Sequence, residues 1–165
     1  LANLGEITAA REELVRFRSL ADAIPEDWTI GSNPAANIMA LARNVAEGEV
    51  LWREEKANEA LQKLREAVEQ EDAMLYAEPP GWLFPVRHAL GALLIVHGSL
   101  EEAESVYKVD LEHHPGNAWS LLGLEQALRG QGKTDEADSL APRTAAAWSR
   151  ADVDPPASCY CAVSP

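Results

Sequence analysis

Basic residues are scarce in this sequence, and their scarcity excludes one large class of partners. The 165 residues include 14 Lys and Arg against 27 Asp and Glu, a formal net charge of −13. Binding to a phosphate backbone needs clustered Lys and Arg, and the sequence shows no such cluster. We therefore expect no nucleic acid partner and favour a neutral or basic one.

Long apolar runs are also missing. A membrane-spanning helix needs about 18 consecutive apolar residues, and no charged-then-apolar leader typical of a signal peptide is present. With 47% hydrophobic residues, the composition predicts a folded, soluble chain without a membrane partner. The first four residues resemble the end of a helix, so we interpret the sequence as a fragment of a longer protein or a processed product.

Cysteine is nearly absent, because only Cys159 and Cys161 occur. No disulfide framework is expected, which favours a reducing cytoplasm without fixing the compartment. With His113 and His114, the two thiols could hold a soft metal ion. However, a lone C-x-C lacks the paired C-x2-C spacing of structural zinc sites, and adjacent histidines at a helix end are usually solvated. We predict no metal, cofactor or catalytic residue, and keep a metal-binding or enzymatic all-α domain as the alternative.

Apolar residues recur at spacings of three and four along most of the sequence, which predicts amphipathic helices. We expect a partial repeat at 1–24 followed by helical hairpins at 34–75, 82–115 and 117–150. Residues 151–165 contain Pro155-Pro156 and form a predicted tail. In the central hairpin, Gly98 ends the first helix, and Ser99 with Glu102 has the spacing of a capping box.

Small residues repeat at fixed intervals. A glycine is followed twelve residues later by an alanine at two places, Gly48 with Ala60 and Gly91 with Ala103. A second pair, Gly98 and Ala103, recurs 34 residues later as Gly132 and Ala137. Small side chains allow two helices to approach within about 8 to 10 Å. The interval of 34 residues therefore predicts an all-α fold of stacked helical hairpins.

The most regular stretch is LGALLIVHGSLEEAESVYKVDLEHHP, which resembles a tetratricopeptide repeat. The matching residues are Leu90, Gly91, Gly98, Leu100, Ala103, Tyr107 and Pro115. The resemblance covers roughly residues 5 to 150 and implies a right-handed α-solenoid with a concave groove. It also implies a scaffold that binds a protein or peptide, without naming that partner.

The resemblance places the groove on the first helix of each hairpin. Its expected lining residues are Val45, Glu49, Arg53, His88, Ala92, Val96, Ser120, Leu124 and Leu128. Because Arg53 is the one reliable cation, an acidic peptide with a free terminal carboxylate should bind weakly. An apolar helix or extended segment fits better, including missing N-terminal repeats or the tail itself. Alternatively, the chain only caps the end of a longer solenoid.

Two further features leave structural questions open. Arg87 and Asp110 both fall on apolar faces of the central hairpin, so we predict that they form a buried pair. Residues 73–85, AMLYAEPPGWLFP, are too rich in proline for a helix. Tyr76, Trp82 and Phe84 either pack this loop or make it a lip of the binding surface.

Overall fold

The computed structural model describes residues 1–153 and 155–162, and this part of the chain contains seven α-helices. The helices are α1 (Ile7–Asp22), α2 (Ala35–Arg53), α3 (Ala57–Asp72), α4 (Val86–His97), α5 (Leu100–His113), α6 (Ala118–Gly130) and α7 (Thr134–Trp148). Short 3-10 turns lie at Ala2–Leu4 and Tyr160–Ala162. The predicted all-α fold of helical hairpins is confirmed. The chain divides into two compact units, Leu1–Val86 and a second that begins at Arg87.

In the first unit, α1 packs on α2, and α2 pairs with α3. Ala10, Leu14 and Val50 form the apolar contact between the first two helices. Gly48 allows close approach of the second pair, because a Cβ there would lie 3.1 Å from the Leu64 Cγ and 3.3 Å from the Ala60 carbonyl oxygen. Replacing this glycine would therefore push α2 and α3 apart.

A short antiparallel strand pair precedes α2. Its strands are β1 (Thr29–Ile30) and β2 (Asn33–Pro34), which pair Thr29 with Pro34 and Ile30 with Asn33. The buried Asn33 side chain bonds to the backbone of Leu75, so this amide joins two loops of the first unit.

In the second unit, α5 packs on α6, and α6 pairs with α7. Ala103 and Ala137 are fully buried. The rings of Trp119 and Trp148 meet edge to face at 4.9 Å between centroids, and the Trp148 indole donates to the Ala118 carbonyl. These aromatic contacts join the start of α6 to the end of α7.

Asn117 caps the start of α6. Its side-chain oxygen accepts hydrogen bonds from the Trp119 and Ser120 amides. Pro115 lies in the preceding turn, where its carbonyl accepts a hydrogen bond from Arg143 on α7. The turn between α5 and α6 is therefore held from both sides.

Four turns that precede helices share a left-handed residue. The φ angles are 79° at Gly5, 63° at Glu55, 89° at Gly98 and 75° at Gly132. Glycine adopts this conformation without steric cost, but glutamate does not. The predicted capping box after Gly98 does not form, because the Ser99 hydroxyl contacts the His97 ring nitrogen at 2.9 Å and gives α5 no side-chain cap among the described residues.

One carboxylate in each unit ties a helix to a turn. Glu54 receives two hydrogen bonds of 2.7 Å from Arg11, and Glu104 receives bonds from Lys108, Gln131 and Lys133 at 2.5 to 2.7 Å. The bond from Arg11 lowers the pKa of Glu54 to about 2, and the bond from Lys108 does most to lower that of Glu104 to about 2. Both acids are therefore charged in the folded state at neutral pH.

Candidate protein-binding surfaces

Tyr107 is the largest fully buried side chain of the second unit, and two glycines make room for it. A Cβ at Gly91 on α4 would lie 2.4 Å from the tyrosine Cζ, and a Cβ at Gly123 on α6 would lie 2.1 Å from it. Both distances are far below contact distance, so any other residue at either position must displace the ring. The tyrosine therefore passes from α5 between α4 and α6.

The hydroxyl of Tyr107 forms a hydrogen bond with Ser158. The Ser158 Oγ lies 2.5 Å from this hydroxyl and donates to the His88 carbonyl at 3.0 Å. Because a serine has one hydroxyl hydrogen, Tyr107 donates and Ser158 accepts. Burial raises the pKa of Tyr107, so its hydroxyl stays a donor at neutral pH.

Residues 155–162, here called the C-terminal segment, lie within the predicted tail and contact α4 and α6. Besides the Ser158 contacts, the Gln126 side chain of α6 donates to the Pro156 carbonyl at 2.9 Å. Ser158 and Cys161 are buried. The segment has no regular backbone pairing with the helices, so these side-chain bonds position it.

A buried acid lies close to the C-terminal segment. Asp110 on α5 is 1% exposed; it accepts a 2.5 Å bond from the Ser120 hydroxyl. His88 lies 3.4 Å and His114 3.3 Å from its carboxylate oxygens, and Asn117 donates to His88. Burial by itself raises the pKa of Asp110. The contacts with His88 and Ser120 together lower this pKa by more than burial raises it, so the net shift is downward.

The predicted pairing of Asp110 with Arg87 needs correction. Among the described residues, the partners of Asp110 are His88, His114 and Ser120, so the adjacent residue on α4 takes the place of Arg87. Arg87 is buried as well. Arg87 and His88 are adjacent on α4, so their side chains differ by about 100° of rotation around the helix axis.

Ser120, His88 and Asp110 are the residue types of a hydrolase triad, but their connections differ. A nucleophilic serine donates to histidine and faces the substrate. Here the Ser120 hydroxyl donates directly to Asp110, and Ser120 is fully buried. The geometry therefore joins α4, α5 and α6 and offers no accessible nucleophile.

The expected groove residues differ in exposure between the two units. On α4 and α6 most of them are buried: His88, Ala92, Ser120, Leu124 and Leu128. Val96 is exposed, whereas Val45, Glu49 and Arg53 on α2 are half-buried. Burial raises the pKa of Glu49, and the charge of Arg53 opposes part of that rise. The Arg53 guanidinium also donates to the Asn3 side chain at 2.9 Å.

The residues of the alternative metal site do not converge. Cys159 and Cys161 form a disulfide bond with each other, and a disulfide offers no thiolate ligand. His113 and His114 lie edge to face with 6.3 Å between ring centroids. Within residues 1–153 and 155–162, no group of three His, Cys, Asp or Glu residues is placed to hold a metal ion.

The loops at one end of α2 and α3 carry a second candidate surface, which we call the loop surface. Its six side chains are large, apolar and mostly exposed: Trp28, Ile30, Leu75, Tyr76, Leu83 and Phe84. Tyr76 is 80% exposed and Phe84 79%. Of the two alternatives, packing of the loop does not hold for Tyr76 and Phe84, and of the three aromatics Trp82 alone is half-buried.

The two segments that carry the loop surface are bonded to each other. The Asn33 side chain donates to the Leu75 carbonyl at 2.9 Å and accepts from the Leu75 amide at 2.7 Å. A Cβ at Gly31 would lie 3.3 Å from the Ala77 Cβ, and one at Gly81 would lie 3.4 Å from Asn33. These contacts fix the β1–β2 pair against residues 75–81.

Neither surface could be located from sequence periodicity. The C-terminal segment has no helical pattern from which its position could be predicted. The one residue that indicated a contact there was Tyr107, whose ring two glycines accommodate. The exposed loop aromatics resemble core residues in composition, although proline on both sides of Gly81 signalled that a loop carries them.

None of the helices that the structure describes is both long and apolar enough to cross a bilayer.

Comparison with known proteins adds evidence on the fold. No protein-family model matches the sequence, and no curated protein matches it. Among solved structures, the chain resembles MamA, a protein with tetratricopeptide repeats, over 88% of this chain and 69% of MamA. The TM-score is 0.59 at 11% sequence identity, which establishes likeness of fold alone. The chain therefore has a helical-repeat fold of the tetratricopeptide type.

Proposed function

We propose that this chain is a protein-binding scaffold whose α4–α6 face holds an extended polypeptide segment. The observation that carries the proposal is the C-terminal segment, whose Ser158 and Pro156 are bound by side chains and backbone of α4, α5 and α6. An extended segment bound mainly through its polar backbone and small side chains is a mode of peptide recognition. The segment would then occupy the site until a partner replaces it.

Likeness to a tetratricopeptide fold supports this proposal, since such folds present extended concave surfaces to partners. In the first unit, the half-buried positions Val45, Glu49 and Arg53 on α2 would offer a partner a second set of contacts. The partner would be a protein or peptide, and missing N-terminal repeats of the same protein are one candidate. With Glu49 beside Arg53, a peptide ending in Met-Glu-Glu-Val-Asp should bind weakly.

The test exchanges the C-terminal segment for a free peptide. In the 165-residue chain, residues 151–165 are replaced by Gly and Ser, and a fluorescent peptide of the native 151–165 sequence, with its disulfide formed, is titrated against it. We expect saturable binding with a Kd on the order of micromolar. Gln126→Ala should weaken binding several-fold, whereas Gln62→Ala on α3 should not change it.

Three outcomes would contradict the proposal. The replaced chain could keep its helical circular dichroism but bind no peptide, which would make the segment a permanent cap rather than a ligand. Alternatively, replacement could unfold the second unit, which would make the segment part of the core. Binding that is equally weakened by both glutamine variants would show that the peptide binds elsewhere.

A further inference from the structure

We propose that the loop surface of the first unit binds an apolar protein segment flanked by Lys or Arg. The proposal rests on residues of the first unit only, so it is independent of the α4–α6 face. Six large apolar side chains project from two adjoining segments, and five of them are at least 60% exposed: Trp28, Leu75, Tyr76, Leu83 and Phe84. Exposed apolar clusters of this kind mark interaction sites on folded proteins.

The backbone that carries these side chains is already fixed. The Asn33 amide bonds to both backbone groups of Leu75, and Gly81 lies against Asn33 and Ile38. At the other end of the loop, the Glu71 carboxylate accepts a hydrogen bond from the Val86 amide at 2.9 Å. A partner would therefore meet aromatic side chains on an ordered backbone, which reduces the entropy lost on binding.

Charge identifies the chemistry of the occupant. Residues 22–34 and 69–86, which contain the whole loop surface, include seven acidic residues and no Lys, Arg or His. The acids are Asp22, Glu26, Asp27, Glu69, Glu71, Asp72 and Glu78. An apolar segment with basic flanks complements this arrangement, because its apolar residues cover the aromatics and its cations meet acidic neighbours.

The same charges argue against two other occupants. A second copy of the chain would bring an equally acidic surface and a net charge of −13, so two copies repel. A membrane containing anionic lipid repels acidic residues, whereas peripheral membrane sites carry Lys and Arg beside their aromatics. Both occupants are therefore outcomes that would overturn the proposal.

The first experiment selects ligands without assuming a sequence. A random 12-residue peptide library displayed on phage is selected on the 165-residue chain, with depletion on the Trp28→Ser/Phe84→Ser variant. We expect enriched peptides with two or more large apolar residues next to Lys or Arg. Synthetic copies should bind the native chain about tenfold or more tightly than the variant. Because both replaced residues are exposed, the melting temperature of the variant should stay unchanged.

The second experiment isolates the charge. Asp27→Lys/Glu78→Lys should weaken the selected peptides several-fold and reduce the salt dependence of their binding. The control, Glu12→Lys/Glu112→Lys, makes the same change in net charge outside the two segments and should bind as the native chain does. Equal weakening by both pairs would overturn the proposal, since binding would then follow net charge.

Four other results would overturn it. The library could yield no enriched apolar and basic peptides, or peptides that bind the Trp28→Ser/Phe84→Ser variant equally well. Analytical ultracentrifugation could show a dimer that this variant abolishes, which would assign the surface to a second copy. Sedimentation with phosphatidylcholine vesicles could show binding that the variant loses, which would assign it to lipid. The peptide test of the α4–α6 face uses neither variant, so the two proposals can fail separately.

Discussion

The α2–α3 and α4–α5 hairpins share one helix contact and differ in what extends beyond it. In the first, Gly48 packs against Leu64; in the second, Gly91 packs against Tyr107, at the same separation of sixteen residues. Leucine ends in methyl groups, so its contact closes the core. Tyrosine continues between α4 and α6, where its hydroxyl bonds to Ser158. Tyr107 therefore packs against a glycine as Leu64 does, and in addition forms a polar contact with the C-terminal segment.

The strongest test of this comparison enlarges the glycines. Gly91→Ala or Gly123→Ala should destabilise the chain by about 3 kcal/mol, because the added methyl would lie 2.4 or 2.1 Å from the rigid tyrosine ring. Gly48→Ala should cost only about 1 kcal/mol, since the flexible Leu64 side chain lies 3.1 Å away. Urea denaturation followed by circular dichroism measures each loss.

A rescue variant shows whether the ring is the cause. Gly123→Ala combined with Tyr107→Leu should be more stable than Gly123→Ala alone, because the smaller side chain leaves space for the methyl. If the two losses simply add, the ring does not set the requirement for glycine. Equal losses at Gly48 and Gly123 would remove the difference between the hairpins.

The next test removes only the tyrosine hydroxyl. Tyr107→Phe keeps the ring between its glycines but leaves Ser158 without a donor, which should cost about 1 kcal/mol. Adding Ser158→Ala should then cost only the bond from Ser158 to the His88 carbonyl, so the double variant should lose less than the sum of the two single losses. Denaturation of the single and double variants measures this coupling. Full additivity would contradict a direct bond between the two hydroxyls.

The fold was largely predictable because its signals are local and repeated. Helical spacing, the interval of 34 residues and the small residues at Ala103 and Ala137 all describe contacts between neighbouring helices. The wrong partner for Asp110 shows the limit of such patterns. His88 and Arg87 are adjacent, and periodicity does not resolve a rotation of about 100° around a helix.

The candidate surfaces were predictable only in part. The repeat predicts a groove on α4 and α6, but the position of the C-terminal segment depends on three long-range bonds, which Tyr107, the His88 carbonyl and Gln126 make with it. The loop aromatics posed a different problem, since Tyr76 and Phe84 have the same sequence pattern whether buried or exposed. Their exposure depends on the path of the loop, which the Asn33 contacts join to a segment 42 residues away.

Acid should weaken both units through their carboxylates. The pKa of Glu104 is lowered from its usual 4.5 to about 2, so its stabilisation is complete above pH 4.5 and is lost as the pH falls toward 2. Because its lysine partners are partly exposed, the contribution is about 1 kcal/mol. Glu104→Gln should be less stable than the native chain at pH 7, and the difference should shrink between pH 4.5 and 2.

The matched experiments compare the two units. Glu54→Gln should show the same pH dependence, since Arg11 and Lys56 lower the pKa of Glu54 to about 2. Glu112→Gln, at an exposed position on α5, serves as the control and should parallel the native chain at every pH. Thermal melts from pH 2 to 7 provide the measurement. A constant difference between Glu104→Gln and the native chain would show that Glu104 contributes packing instead of charge.

The smallest expected effect concerns the turns of the two units. Glu55 has a φ of 63° where the turns of the second unit have Gly98 and Gly132, so the first unit carries steric strain that the others avoid. Glu55→Gly should remove this strain but increase the freedom of the unfolded chain, leaving a net stabilisation of about 0.5 kcal/mol.

Gly98→Ala and Gly132→Ala are the reverse experiment and should each destabilise by about 1 kcal/mol. Among the described residues, no atom lies within 4 Å of a Cβ at either glycine, so their loss would arise from the backbone angle alone. Denaturation midpoints measured at a constant m-value provide the test. A loss of stability in Glu55→Gly would mean that the contacts of the glutamate side chain outweigh the strain, and the three turns would then not be equivalent.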